Sequence, residues 1–154
     1  MGEPGTEPWL IRHRIVVRFS DCDPLGHVNN ARYSTYLEET RIVLWRRQAG
    51  IELRRAAQTG GPAGQKREGF ILARAEIDFR SQAHDGDELE IRLALEGFGR
   101  TSATYRYEIV MAGTGRVVAS ARTVQVWYDY DAGKPVPLTE RTRELLATSV
   151  SDRK

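Results

Sequence analysis

The connection between the first predicted strand and the helix that follows it concentrates the reactive side chains of this chain. It spans residues 18–30 and carries the carboxylates Asp21 and Asp23, the thiol of Cys22 and the imidazole of His27. Carboxylates and imidazoles move protons or bind metal ions, and a thiol can act as a nucleophile. Turn chemistry explains Asp, Pro, Gly and Asn in such a loop. It does not require two acids and a histidine within seven positions.

The thiol and metal alternatives are both disfavoured. Cys22 stands between two carboxylates, which oppose formation of the thiolate. A metal site built from Asp21, Asp23 and His27 lacks a further ligand cluster elsewhere in the sequence. We therefore expect no metal ion and no cofactor, and we consider the carboxylates first.

Hydrophobic periodicity predicts the elements that position this loop. A strand over residues 12–19 precedes it, and a helix over residues 31–49 follows it, with Asn29 or Asn30 as the N-cap and Gly50 at the end. Helical spacing predicts one buried stripe: Tyr33, Tyr36, Leu37, Thr40, Val43, Leu44 and Arg47. The charged residues mostly lie off this stripe: Glu38, Glu39, Arg41 and Arg46.

From Gly69 onward the apolar period changes to two, which predicts strands over residues 70–80, 88–98, 101–112 and 116–130. Tight turns join the last three as an antiparallel meander. Residues 51–68 are predicted to form a short helical piece and a loop, and a short helix is expected near 140–147. The order predicts an α+β domain over 12–148, with tails 1–11 and 149–154 and a five-stranded sheet against one helix. Such a layer leaves a face or edge to cover, so we expect an oligomer.

Composition excludes several classes of function. The 154 residues suit one domain, and the net charge of +2 is spread without a basic stripe, so no nucleic-acid partner is expected. The N-terminus lacks the features of a signal peptide, and no apolar run is long enough to span a membrane. A single cysteine excludes an internal disulfide. We expect a cytoplasmic protein without membrane association.

The motif Phe19-x-Asp21-x-Asp23-x-x-Gly26-His27-Val28-Asn29-Asn30-x-x-Tyr33 resembles that of the hotdog-fold acyl-CoA thioesterases, in particular the 4-hydroxybenzoyl-CoA thioesterase-like branch. Supporting matches extend over about residues 12–146: Tyr36-x-Glu38-x-x-Arg41, Gly69, Asp78-Phe79, Asp87-x-Leu89, Arg100-Thr101-Ser102 and Pro135-x-Pro137. The resemblance implies a hotdog fold paired into dimers or homotetramers, which hydrolyse acyl-CoA at subunit interfaces.

The resemblance also assigns roles to residues. It implies that Asp23 is the catalytic carboxylate, either as general base or as nucleophile. It further implies that the backbone N–H groups of Gly69 and of the helix start at Asn30 polarise the thioester carbonyl. His27 could orient a water molecule or the substrate, and Asn30 stands where relatives often carry a His or Tyr. The remaining site residues are those for the CoA phosphates and the acyl group: Arg100, Thr101, Ser102, Tyr33 and Phe70.

Several alternatives stay open. Asp21 is expected to brace the loop rather than to react, and Glu38 is a rival acid whose simpler role is an ion pair with Arg41 on the helix surface. The same chemistry could act on an acyl-carrier-protein thioester. A hotdog module could also bind acyl-CoA without hydrolysing it, and a hotdog dehydratase is the weakest possibility.

Overall fold

The computed structural model describes residues 8–49 and 67–150. Its elements in chain order are β1 (Ile11–Val16), a 3-10 turn (Phe19–Asp21), α1 (Asn30–Ala49), β2 (Glu68–Phe79), β3 (Glu88–Phe98), β4 (Ser102–Met111), β5 (Val117–Asp129), β6 (Lys134–Pro135) and α2 (Glu140–Leu146). The predicted long helix, the meander and the short C-terminal helix are therefore confirmed. The first strand is shorter than predicted because the chain turns at Phe19–Asp21 to enter the reactive loop.

All strands pair antiparallel in one sheet of order β1-β3-β4-β5-β2, with the two-residue β6 added on β5. The predicted α+β class is confirmed, and β6 is a minor addition to the five expected strands. Strands β1 and β2 flank the β3–β4–β5 meander. The free side of β2 is one edge of this sheet.

Helix α1 covers the concave face of the sheet, and the core lies between them. Its buried stripe contains Tyr33, Tyr36, Leu37, Thr40 and Leu44, which pack toward Leu89, Ile91, Leu93, Tyr105, Tyr107 and Ile109. Two predictions about the stripe were wrong. Arg47 is exposed, whereas Arg41, predicted off the stripe, keeps only 5% of its surface accessible.

Helix α1 covers strand β2 only in part. Cross-strand partners share a face of the sheet, so Leu72 and Ala75 lie on the concave face with their buried partners Gln125 and Thr123. Leu72 is nevertheless 50% exposed, and Phe79 at the end of the strand is 48% exposed. The concave side of β2 therefore carries apolar surface that the described residues leave partly exposed.

Ordered packing reaches beyond the predicted domain bounds at both ends. Leu10 is buried, and its N–H donates to the carbonyl of Leu93 at 2.7 Å. Val150 packs on the core and donates its N–H to the carbonyl of Leu10. The predicted excursion at residues 51–68 lies outside the described residues, except for Arg67 and Glu68.

Candidate active site

The loop before α1 is held by a buried carboxylate. Asp21 is 1% exposed, and both of its oxygens accept hydrogen bonds. Arg18 donates its backbone N–H and its guanidinium at 3.1 Å, and the hydroxyl of Tyr36 donates at 2.9 Å. The carbonyl of Asp21 accepts the N–H of Asn29 at 2.9 Å. These contacts agree with the bracing role expected of Asp21.

The same contacts keep Asp21 ionised. Burial raises the pKa of its carboxyl, but the hydrogen bonds from Arg18 and Tyr36 favour the carboxylate and hold the pKa below its usual value. Burial and the bond to Asp21 raise the pKa of the Tyr36 phenol, which therefore stays a hydrogen-bond donor. A carboxylate with both oxygens occupied is poorly placed to attack or to take a proton.

Asp23 has a different environment in a small hairpin. Its N–H donates to the carbonyl of His27, and its carbonyl accepts the N–H of Gly26, each at 3.0 Å. Gly26 has a φ of +88°, a conformation that favours glycine. Oδ1 of Asp23 accepts the N–H of Leu25 at 2.9 Å, whereas Oδ2 accepts no hydrogen bond from the described residues. The hairpin thus fixes this half-buried carboxylate and leaves one oxygen available.

The start of α1 separates the roles of two adjacent asparagines. Asn29 is the cap, because its Oδ1 accepts the N–H of Ala31 at 2.9 Å and its carbonyl accepts that of Arg32. Asn30 is the first helical residue and is exposed. Within the described ranges, neither its backbone N–H nor its side chain has a hydrogen-bond partner. Asn30 therefore presents an unpaired donor at the positive end of the helix dipole.

A cavity of about 230 Å³ opens beside this helix start. Its wall includes His27, Val28, Asn30, Tyr33 and the segment 79–82 after β2. The Tyr33 ring meets the Phe79 ring edge-on, with 5.4 Å between centroids. Three predicted site residues, His27, Asn30 and Tyr33, are thus brought together. Asp23 belongs to the same hairpin but does not line this cavity.

Sequence reasoning missed most of the segment that completes this wall. Arg80, Ser81 and Gln82 connect β2 to the next strand, and the loop is tied to this connection where Val28 N–H donates to the carbonyl of Ala83 at 2.8 Å. The Ser81 hydroxyl donates a hydrogen bond to the carbonyl of Val117. Polar residues after a strand are ordinary, so only their position beside His27 marks them.

The other predicted site residues lie at the opposite end of β2. Gly69 is the second residue of that strand and Phe79 the last, a separation of about 33 Å in an extended strand. Thr101 lies near the end of β2 that contains Gly69. The Thr101 carbonyl accepts the N–H of Trp127, and the partner of Trp127 in β2 is Phe70. Arg100, Thr101 and Ser102 precede and open β4 there. One chain therefore holds the predicted residues in two separate groups.

Gly69 is buried in the ladder with β5. Tyr130 donates its N–H to the carbonyl of Arg67 at 2.8 Å, and hydrogen-bonded pairs recur at every second residue of an antiparallel ladder. The pair Gly69 and Tyr128 is therefore hydrogen-bonded, and the Gly69 N–H faces β5. The Gly69 N–H, expected to polarise the thioester carbonyl, is therefore engaged within the sheet, and it is the N–H of Phe70 that faces the free edge. The absent side chain of Gly69 allows close approach to that edge.

Arg100 is exposed at the β3–β4 turn, and its backbone rather than its side chain is engaged. Its carbonyl accepts the N–H of Leu138 at 3.0 Å and a guanidinium N–H of Arg143 at 3.4 Å. Its own guanidinium has no partner among the described residues. This fork is available to a phosphate.

The expected surface ion pair between Glu38 and Arg41 is absent. Glu38 is exposed, whereas Arg41 points into the core and donates to the hydroxyl of Tyr107 at 3.2 Å. Glu38 also lies outside the cavity wall. The rival acid therefore has no contact that places it beside His27 or Asn30.

A larger hollow of about 390 Å³ lies on the outer face of the sheet and contains none of the predicted site residues. It is lined by charged residues, and Arg122 there pairs with Glu96. Within residues 8–49 and 67–150, no three His, Cys, Asp or Glu side chains cluster as a metal site would require. Neither helix in these ranges has the length and apolarity of a membrane span.

Comparison with known proteins agrees with this geometry. The Thioesterase-like superfamily matches residues 17–146. The long-chain acyl-CoA thioesterase FadM of Escherichia coli is 31% identical over 137 residues, covering 89% of this chain and 97% of FadM. A 1,4-dihydroxy-2-naphthoyl-CoA hydrolase of Synechococcus elongatus is 28% identical over 131 residues, covering 85% of this chain and 90% of that protein.

A solved structure gives the same result. A Thermus thermophilus thioesterase, crystallised with coenzyme A and zinc, superimposes with a TM-score of 0.74 at 33% identity, covering 92% of this chain and 94% of that one. The fold and these matches define a hotdog thioester hydrolase. The chain belongs to the Thioesterase-like superfamily, which confirms the family suggested by the Asp-loop motif.

Proposed function

We propose that this thioesterase hydrolyses acyl-CoA to a free acid and CoA, with Asp23 as the reacting carboxylate. The contrast between two neighbouring acids carries the proposal. Both oxygens of Asp21 are occupied by Arg18 and Tyr36, whereas Oδ2 of Asp23 has no partner in the described chain. A carboxylate held by one backbone bond can deprotonate water or attack a carbonyl without first losing its support.

Two reactions fit this carboxylate. As a general base, Asp23 takes a proton from water as the water oxygen adds to the thioester carbon, and the tetrahedral intermediate then collapses, breaks the C–S bond and expels the CoA thiolate. As a nucleophile, it forms an anhydride and expels the CoA thiolate, and water then cleaves the anhydride. In both, negative charge develops on the carbonyl oxygen, where the unpaired N–H of Asn30 is a suitable donor. His27 in the adjoining wall would position water or substrate.

The second group of residues supplies the rest of the site from another copy of the chain. The first group comprises Asp23, His27, Asn30 and Tyr33. The second comprises Gly69, Phe70, Arg100, Thr101 and Ser102 at the far end of the same strand. A substrate bound within one chain would have to bridge the length of β2.

Pairing two copies through the free edge of β2 would bring the first group of one copy beside the second group of the other copy. A two-fold axis near the middle of the strand makes the two β2 strands antiparallel, so the start of one lies beside the end of the other. The residues exposed on β2, Leu72 and Phe79, would be covered. Each site then joins Asp23 of one copy to Gly69 and Arg100 of the second copy, with Arg100 on the CoA phosphates.

Mixing two inactive variants tests this arrangement. Asp23→Asn and Gly69→Val are each expected to abolish turnover as pure homodimers. After unfolding and refolding together, half of the dimers pair one of each and contain one intact site, so about a quarter of wild-type activity returns. No recovery on mixing would place both residues of a site in one chain. Turnover by pure Gly69→Val would remove Gly69 from the site.

Thiol release from short, long and aromatic acyl-CoAs tests the chemistry directly. Turnover by the native chain that is lost in Asp23→Asn supports the proposal. Turnover of acyl-carrier-protein esters alone would move the substrate to the carrier protein. Acyl-CoA binding without turnover of any ester would identify a binding module and overturn the proposed hydrolysis.

A further inference from the structure

Arg41 is a buried cation with too few partners. Only 5% of its surface is accessible, although it lies on α1 among the apolar core residues. Its one hydrogen bond within the described residues joins Nη1 to the hydroxyl of Tyr107 at 3.2 Å. Nε is fully enclosed and has no partner. Nη2 also makes no such bond, yet it is not among the enclosed atoms, so it reaches accessible space.

No described acid neutralises this charge. The buried carboxylates are engaged elsewhere: Asp21 with Arg18 and Tyr36, Glu90 with Arg12 and Arg92, and Asp129 with the N–H groups of Asp131 and Ala132. Glu38, one helical turn away, is exposed. Burial raises the pKa of the Tyr107 phenol, so this partner is neutral. A buried cation without an anion is costly, which indicates that Arg41 is completed by an anion that residues 8–49 and 67–150 do not supply.

The position of Arg41 on the helix shows where such an anion would come from. At 100° per residue, Asn30, Ser34, Arg41 and Trp45 share one flank of α1. This flank faces β2, because Trp45 stacks on Phe70 with 5.0 Å between ring centroids. Leu72 lies on this same face of the sheet and is 50% exposed in the single chain, so α1 does not fully cover the neighbouring part of β2.

The flank runs from the proposed reaction centre toward Arg41. Arg41 is eleven positions after Asn30, about 16 Å along the helix axis. Helical side chains lean toward the N-terminus, so the guanidinium lies closer to the carbonyl site than its Cα does. Beneath it, Tyr107, Thr123 and Gln125 form a buried polar network, with Tyr107 and Thr123 hydroxyls at 3.2 Å. An acyl chain lying along this flank of α1 would end at a cationic, polar surface.

We infer that Arg41 binds a carboxylate at the far end of the acyl group, so that the preferred substrates are CoA monothioesters of dicarboxylic acids. The inference rests on the proposed function, since the carboxylate arrives on the acyl chain. Nη2 is the guanidinium nitrogen that is neither enclosed nor hydrogen-bonded, and it can donate a charge-assisted hydrogen bond to this carboxylate. Substrate binding then supplies the counter-charge that the described part of the chain does not provide.

Matched esters test the inference through kcat/KM. Adipoyl-CoA and hexanoyl-CoA have equal chain length and differ in the terminal carboxylate, and succinyl-CoA and suberoyl-CoA vary the reach. The native enzyme is expected to favour adipoyl-CoA over hexanoyl-CoA by about tenfold to hundredfold, the range of one charge-assisted bond. Arg41→Met should lose this preference, and Arg41→Lys should retain part of it. Arg46→Met, an exposed site on the same helix, is the control.

Binding of the free acids separates this inference from the hydrolysis itself. Adipate should raise the Tm of the native protein and of Arg41→Lys, hexanoate should have little effect, and Arg41→Met should not respond to adipate. The unliganded Tm of Arg41→Met should equal or exceed that of the native chain, because an uncompensated charge is removed. If no ester is hydrolysed, the adipate shift still decides the inference. Equal responses to adipate and hexanoate, or an adipate response kept in Arg41→Met, would overturn it.

Discussion

The hydroxyl of Tyr36, in the second turn of α1, donates to Oδ2 of Asp21 at 2.9 Å. This contact joins the helix to the loop that precedes it, although the two residues are fifteen positions apart. Because Asp21 also holds Arg18, the bond sets the direction in which the chain leaves the 3-10 turn. Asp23 begins the next hairpin, so its position depends on this brace.

Removing the brace should therefore cost stability more than chemistry. Asp21→Asn leaves the buried hydroxyl of Tyr36 and the N–H groups of the exposed Arg18 poorly satisfied, and it is expected to lower the free energy of unfolding by about 1–3 kcal/mol. Tyr36→Phe removes one neutral donor and should cost about 1 kcal/mol or somewhat more. Urea unfolding measures both. An unchanged unfolding midpoint in Asp21→Asn would contradict the bracing role.

The Asp21 brace also predicts a dependence of stability on pH. Its folded-state pKa lies below the usual value, so its stabilising contribution is complete above the unfolded pKa of about 4 and is lost as pH falls through the folded value. Native stability should decline below about pH 4. Asp21→Asn should show a shallower decline over the same range. If stability falls equally steeply with decreasing pH in the native protein and in Asp21→Asn, acids other than Asp21 cause the loss of stability.

Asp23→Asn is expected to lower kcat by about 10²–10⁴-fold with little change in KM, as for a group that acts in the transition state. Asp85→Asn is the matched control, since Asp85 is an exposed acid in the β2–β3 connection. Steady-state thiol release measures both variants. Turnover near the native value in Asp23→Asn would remove the carboxylate from the mechanism.

Arg100→Ala is expected to raise KM for acyl-CoA several-fold while leaving short thioesters without a nucleotide unaffected. The reason is that an exposed guanidinium without a protein partner acts only when a phosphate is present. Acyl-CoA compared with the matching acyl-N-acetylcysteamine isolates this contribution. Arg106→Ala, on an exposed side chain that lies over Trp9, controls for loss of surface charge. Equal losses on both substrates would exclude a phosphate contact.

Substitution of the two asparagines at the helix start should affect stability differently, because only Asn29 caps the helix. Asn29→Ala removes the bond to Ala31 N–H and is expected to lower the free energy of unfolding by about 1 kcal/mol. Asn30→Ala removes no cap and should leave the unfolding free energy within about 0.5 kcal/mol of the native value. Thermal unfolding of both variants checks the assignment. Equal destabilisation would show that both side chains cap the helix.

Much of the fold was predictable because local periodicity reports local structure. The helix over residues 31–49 and the strand over residues 88–98 agree with the structure to within one residue. The Asp-loop motif identified the family, because its turn residues and acids are consecutive in the chain. The bracing role of Asp21 followed from the same spacing.

Only the tertiary structure decided how distant residues meet. The sequence pattern placed Arg41 outside the buried stripe because charged residues are usually solvated. In the structure, Arg41 lies in the core and donates a hydrogen bond to Tyr107, which is sixty-six positions away. Helix spacing also suggested a Glu38–Arg41 pair that the inward turn of Arg41 prevents. The sequence determined which groups can react and which elements carry them. The sheet order decided that Gly69 and Arg100 lie a strand's length from Asp23, because strand pairing depends on contacts between segments that no local pattern encodes.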